Sequence, residues 1–258
     1  MLNSGHVPPL LEVRFFYLQS NYSRANLMLI QKIVNQLFRP NFRCLKEGWQ
    51  FIERGNIFMD HKLQVKDLTH IGIFLVIYYI LICICSMAGV LTAMAMKSAL
   101  IAWIFFALAP FISGIFTGPV VILLMTKLQK PWGFFIFGII PPILLALTGH
   151  TWIVPAGSLI FVILAEIILR LGKYKSFSAM MLAHAVFNIW TMMPLFAVIL
   201  SAKMQASVVK KMGSELVSVI FTLPNIAPII IIAFIGGIIG AFWGKLMLKK
   251  HFQKAGIV

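Results

Sequence analysis

The chain has 258 residues, 60% of them hydrophobic and only 11% charged. A soluble domain is about 45–50% apolar and about 25% charged, so the composition excludes an ordinary soluble domain. The formal net charge of +15 would suggest nucleic acid in a soluble protein. Here Lys and Arg cluster at the ends of apolar runs, where membrane topology puts them. No basic stripe with interleaved aromatics occurs outside those runs, which argues against nucleic acid.

Residues 1–58 stand apart from the rest. They hold Arg14, Arg24, Lys32, Arg39, Arg43, Lys46 and Arg54 beside Glu12, Glu47 and Glu53, and no run there reaches spanning length. Asn26 to Phe38 reads as a short amphipathic helix, with Leu27, Ile30, Val34 and Leu37 on one face, suited to a membrane surface. A compact apolar core and a small-residue cleavage site are both lacking, so the stretch is not a signal peptide. Met59 opens a natural start just before the first apolar run. The expectation is therefore a poorly structured or interfacial extension over 1–58, an over-extended gene start, followed by a membrane domain over 59–258.

Continuous apolar runs, rather than period-two alternation, predict helices and not barrel strands. Six spans follow Met59: about 68–90, 98–125, 132–148, 152–171, 177–200 and 216–246. The second contains Pro110, Gly114, Gly118 and Pro119 and is read as one crossing, with a re-entrant hairpin as the alternative. The sixth is entered through an irregular stretch at Pro224 and Pro228. The fold class is thus an all-α integral membrane protein, a six-helix bundle with both termini cytoplasmic. With the N-terminus inside, Lys62, Lys66, Lys127, Lys130, Arg170, Lys173, Lys175, Lys245, Lys249, Lys250 and Lys254 lie inside. Only Lys97, Lys203, Lys210 and Lys211 lie outside, in agreement with the positive-inside rule.

Cys44, Cys83 and Cys85 are the three cysteines. Cys83 and Cys85 point about 200° apart on a helix, so they form neither a disulfide nor a metal pair and serve packing. Gly240-Ala-Phe-Trp-Gly244-Lys245-Leu246 misses the spacing of a phosphate-binding loop and lacks its Ser or Thr.

Ionisable groups inside apolar spans are candidates for function, because each is costly unless paired. Glu166 and Arg170 lie four apart on one face of span four. His184 in span five sits at the depth of Glu166, within expected hydrogen-bonding reach. Together Glu166, Arg170 and His184 are expected to form a structural polar clamp between two helices. His184 and Asn188 read H-x-x-x-N, one motif of the CPBP-type intramembrane metalloproteases. That family also needs a paired-glutamate motif and a later histidine. Here one glutamate is missing before Arg170, and His150 precedes the motif, so a zinc-activated water would lack its base. Neither a metal nor a cofactor is expected.

The outer loop Thr148-Gly149-His150-Thr151-Trp152 offers hydrogen-bonding and stacking groups. Asn188, Trp190 and Thr191 supply more in the outer half of span five. An outward-opening substrate cavity is expected to be lined by His150, Thr151, Trp152, Asn188, Trp190 and Thr191. Gly236, Gly240 and Gly244 are spaced four apart, which lets another helix approach closely. That helix belongs either to this bundle or to a partner. Gly72 in span one, followed by Val76, is a weaker echo.

Several tracts carry a resemblance. Lys66-Asp-Leu-Thr-His-Ile-Gly-Ile-Phe74, Leu147-Thr-Gly-His-Thr-Trp152, Ala165-Glu-Ile-Ile-Leu-Arg-Leu-Gly-Lys-Tyr-Lys-Ser176 and Lys249-Lys-His-Phe-Gln-Lys-Ala-Gly256 resemble the Trep_Strep family, also called the MptD family. The resemblance covers about 60–258. It is a family of S components of energy-coupling-factor (ECF) ABC transporters. It implies a non-catalytic, multi-pass protein of the bacterial plasma membrane that captures a small water-soluble micronutrient from outside. The implied partners are a membrane T component and two cytoplasmic ATPases, with Gly72 on the docking face, where Val76 is larger than the usual alanine. The alternative remains a CPBP-like protease using Glu166, His184 and Asn188, with His150.

Overall fold

The computed structural model describes residues 63–249. The expectations for 1–58, for the start at Met59, for Cys44, and for Lys62, Lys250 and Lys254 lie outside them. The described residues are helical throughout. The helices are α1 Val65–Ala95, α2 Ala99–Leu128, α3 Gly133–Leu147, α4 Ile153–Leu171, α5 Phe177–Asn188, α6 Met193–Leu200, α7 Ala202–Met212, α8 Ser214–Ile220 and α9 Leu223–Met247. A 3-10 turn over Ile189–Met192 joins α5 to α6.

Among the described residues, five stretches are long and apolar enough to cross a membrane: α1, α2, α4, the combined Phe177–Leu200 stretch, and α9. The third expected span is shorter than predicted: α3 has 15 residues, about 22 Å of helix at 1.5 Å per residue. Span two is one unbroken 30-residue helix with Pro110 and Pro119 inside it, not a hairpin. Prolines persist in membrane helices because neighbours satisfy the freed backbone groups. Span six breaks at Phe221–Thr222, just before Pro224 in the first turn of α9, and Pro228 stays inside that helix.

Polar contacts set the directions of the helices. Asp67 at the start of α1 pairs with Lys130 beyond the end of α2, at 2.6 Å. Glu166 near the end of α4 meets Trp132 at the start of α3. Trp103 early in α2 donates to the Asn225 carbonyl early in α9, at 2.8 Å. Consecutive crossings therefore alternate, while α2 and α9 run parallel. One end of the bundle, here the basic end, gathers Lys127, Lys130, Arg170, Lys173, Lys175 and Lys245. The far end carries the α1–α2 turn, the α3–α4 loop and the segment α7–α8.

The glycine run of α9 packs inside the bundle. A Cβ at Gly240 would run into the Gly114 carbonyl, one at Gly118 into the Gly240 backbone, and one at Gly236 into Phe111. Two parallel helices thus touch backbone to backbone along Gly114, Gly118, Gly236, Gly240 and Gly244. Around Gly72, by contrast, nothing lies within 4 Å of an added Cβ. Overpacking typically costs about 1–3 kcal/mol, and here the obstacle is backbone that cannot swing away. Gly240→Ala is therefore expected to destabilise by at least about 2 kcal/mol. Gly72→Ala is expected to be neutral or to stabilise by up to about 1 kcal/mol, from helix propensity. Thermal unfolding of the two purified variants in one detergent separates them; equal melting temperatures would refute the internal packing.

Candidate functional site

Polar side chains converge at three levels of the bundle. At the basic end, α3 starts from Trp132 with no cap from its own sequence. The carboxylate of Glu166, only 2% exposed, supplies one across the helix interface. It accepts the Trp132 N–H at 2.7 Å and the Phe135 N–H at 3.2 Å. An anion at a helix N-terminus also opposes the helix dipole. The same carboxylate accepts the Tyr174 hydroxyl at 2.7 Å and pairs with the Arg170 Nε at 3.5 Å. The Arg170 guanidinium lies over the Trp132 ring, 4.1 Å from its centre. Burial, with the Glu166 carboxylate beside it, raises the Tyr174 pKa and keeps the phenol protonated as a donor.

Both loops that meet here contain left-handed residues that are not glycine: Gln129 and Trp132 in one, Lys173 and Tyr174 in the other. That backbone costs about 1–2 kcal/mol per residue, and the four contacts of Glu166 offset the cost. The clamp thus joins α3, α4 and the α4–α5 loop, and His184 is not in it. The expected Glu166–His184 bond is absent: Glu166 is bound at the start of α3, at the basic end, while His184 meets the Gly114 carbonyl in the middle of α2. A shallow recess lies beside this clamp, walled mainly by Leu124, Met125, Leu128, Phe134 and Leu169.

At mid-depth, α5 faces α2 and α9. His184, fully buried, places Nε2 3.1 Å from the Gly114 carbonyl. A carbonyl only accepts, so Nε2 carries the proton and Nδ1 is the bare acceptor. The Asn188 amide donates to the Pro110 carbonyl at 3.1 Å and to the Ala233 carbonyl at 2.8 Å. The His184 Nδ1 and the Asn188 Oδ1 are buried with no protein partner. Trp190 donates to the Tyr78 hydroxyl at 2.8 Å, deep in the core, and the Thr191 hydroxyl donates to the Asn188 carbonyl. Asn188 and Trp190 are therefore 1% and 2% exposed and serve helix contacts.

At the far end, Trp152 is 65% exposed and precedes α4. His150 and Thr151 are half-buried, and the His150 Nδ1 and the Thr151 Oγ1 have no partner. Burial holds the His150 pKa below its usual value, and the charge of Lys211 adds to that shift, while a hydrogen bond to the Leu145 carbonyl opposes it. Of the six residues expected to line a cavity, His150, Thr151 and Trp152 sit at the far-end loop, Asn188 and Trp190 are buried in helix contacts, and Thr191 is half-buried.

Tyr78, Trp132, Tyr174, Asp67 and Lys130 are polar partners that sequence reasoning did not select. Gly114 and Gly118, four apart in span two, were the visible signal for the partner of the α9 glycines. Among the described residues, no group of three or more His, Cys, Asp or Glu could hold a metal ion.

A helical bundle with five crossing-length apolar stretches among the described residues defines a polytopic integral membrane protein. Residues 65–254 match the Trep_Strep family, described as hypothetical bacterial integral membrane protein, and the chain belongs to that family. No curated protein matches the chain, and no solved structure does.

Removing one partner of a buried charged network costs about 3–5 kcal/mol. Glu166→Ala is expected to lose that much, since it orphans two backbone N–H groups at once. Glu166→Gln keeps an acceptor and is expected to lose less than half as much. Unfolding in detergent, followed by tryptophan fluorescence, reports both; a Glu166→Ala protein as stable as the parent would sink the capping role.

Proposed function

We propose that the chain is the substrate-binding S subunit of an energy-coupling-factor importer. It has six crossings, with α3 as a short third one, and both termini in the cytoplasm of a bacterial cell. The basic end faces inward under this reading, and the far end faces outward. The chain performs no chemistry itself. It captures a small water-soluble micronutrient and docks on a membrane T component driven by two ATPases.

One observation carries the reading beyond family membership. The far-end loop sets an exposed indole, Trp152, beside half-buried His150 and Thr151, whose Nδ1 and Oγ1 have no protein partner. Polar and aromatic groups left over at the end opposite the basic one support a solute-binding role there. The positive charge gathered at the opposite end fits an inward orientation of that end. The protease alternative gains nothing: Glu166 is bound at the start of α3 and does not meet His184.

Affinity purification of the tagged full-length chain from its native membranes, with mass spectrometry of the eluate, tests the assignment. The expected result is recovery of two ATPases and a T-type membrane protein. Recovery of the chain alone, with about one zinc per chain, would overturn the importer and favour the protease.

A further inference from the structure

Helix α4 carries a stripe of exposed apolar side chains, Ile160, Ile163, Leu164 and Ile167, at the three- and four-residue spacing of one helix face. A crossing helix turns such a face to lipid tails. At the basic end the same face runs into Arg170, in the last turn of α4, three residues beyond Ile167 and seven beyond Ile163. Trp132, just before α3, stands beside it, 54% exposed. The Arg170 guanidinium lies 4.1 Å from the centre of that ring. Trp and Arg at the end of a span sit at the depth of lipid headgroups.

Glu166 does not satisfy this arginine. Its oxygens already accept the Trp132 and Phe135 N–H groups and the Tyr174 hydroxyl. It meets Arg170 at Nε, at 3.5 Å, and the same Nε donates to the Tyr174 hydroxyl oxygen at 3.2 Å. The Arg170 Nη2 has no acceptor within the protein. A guanidinium only donates, and a covered donor is costly until it finds an acceptor. Nη2 itself is covered, but the side chain is 28% exposed. A small turn of the guanidinium over the Trp132 ring brings that nitrogen to the membrane face.

Three conditions then select the ligand. It supplies a charged acceptor that suits a planar pair of N–H donors, as phosphate does. It places that acceptor at headgroup depth. It carries an apolar tail to run along the α4 stripe. A phospholipid meets all three. A zwitterionic headgroup brings a cation of its own to an end of the bundle that is already positive, whereas an anionic one does not.

We propose that Arg170, held flat by the Trp132 ring, binds the phosphate of an anionic phospholipid whose acyl chain lies along Ile167, Ile163 and Ile160 of α4. Arg170 and Tyr174 both touch Glu166, so the bound lipid braces the clamp that caps α3. This site does not depend on the importer reading. A free phosphate ion shares the headgroup chemistry, and the test separates it from the lipid.

The test is thermal unfolding of the purified full-length protein in dodecyl maltoside, followed by tryptophan fluorescence. Phosphatidylglycerol, phosphatidylcholine or inorganic phosphate is added at equal concentration. Phosphatidylglycerol is expected to raise the midpoint by about 3 °C or more above the phosphatidylcholine value, and inorganic phosphate to leave it unchanged. Arg170→Lys keeps a cation beside Glu166 but loses the planar donor pair. It is expected to lose at least half of the phosphatidylglycerol gain. Lys127→Gln removes an exposed charge from the same end and is expected to keep the gain. Each variant is compared with itself in two lipids, so a lower starting stability does not enter. Should Arg170→Lys fail to fold, Trp132→Leu, which leaves the N–H that Glu166 accepts, is expected to show the same loss. Equal gains from the two lipids would overturn the site. So would a gain from inorganic phosphate as large as from phosphatidylglycerol, which would assign a free-anion site. A loss by Lys127→Gln as large as by Arg170→Lys would also overturn it, by showing a diffuse effect of charge.

Discussion

The bundle is governed by one constraint: in a bilayer, each backbone N–H and C=O must find its partner within the protein. Long helices meet it along their own length, but a short helix or a helix with prolines leaves gaps. Helix α3 is both short and without a cap of its own. Its first N–H groups fall to the Glu166 carboxylate, which arrives from α4. The buried carboxylate is tolerable because it is surrounded by four donors, one of them the Arg170 cation. Removing it would leave the helix start, the phenol and the guanidinium all short of an acceptor.

The same constraint explains the middle of the bundle. Where α2 and α9 touch through glycines, their backbones are too close for larger side chains to intervene. The missing Cβ of Gly114 also opens the space that the Asn188 amide nitrogen occupies. Asn188 then reaches one carbonyl on each helix, and His184 adds a third contact one turn away. Close packing and polar contact are coupled here: the small residues expose the carbonyls, and α5 donates to them. Such interhelical bonds are each modest, about 0.6–2 kcal/mol, yet these bonds tie three helices at a single level.

The positions of the helices were legible from the apolar runs alone, as were the basic end and the Glu166–Arg170 pair. Each of these follows from spacing along one helix or from the length of a run. The pairing of Glu166 with His184 was misread for a specific reason. Counting residues from the α4–α5 loop gives a similar height along each helix, but Glu166 reaches back to the basic end and His184 to the middle of α2, so the count says nothing of which neighbour each side chain faces. Its true partners are backbone N–H groups at Trp132 and Phe135, which have no signature in residue identity. The α9 glycine run was legible as an interface, and only the matching pair Gly114 and Gly118 in α2 tells which helix it meets. Asn188 and Trp190 read as site residues because they are polar or amphipathic. Their targets, a pair of carbonyls and the Tyr78 hydroxyl, emerge only when three helices are assembled.

Charge distribution then separates the two ends by use as well as by number. At the basic end Lys130 is paired with Asp67, Arg170 with Glu166 and the Trp132 ring, and Lys245 lies over Phe177. Those cations hold loops and helix ends together. At the far end Lys97, Lys203, Lys210 and Lys211 stand exposed, and three of them ride on a helix that rests on the bundle through apolar side chains alone. Lysines at such a surface gain little from isolated pairing in water, so stability does not account for their placement on one face. The far-end loop, in turn, carries unpartnered polar atoms on His150 and Thr151. Polar atoms without a protein partner remain at mid-depth as well, on His184 and Asn188, so the side chains that tie the helices together are not fully used up by doing so.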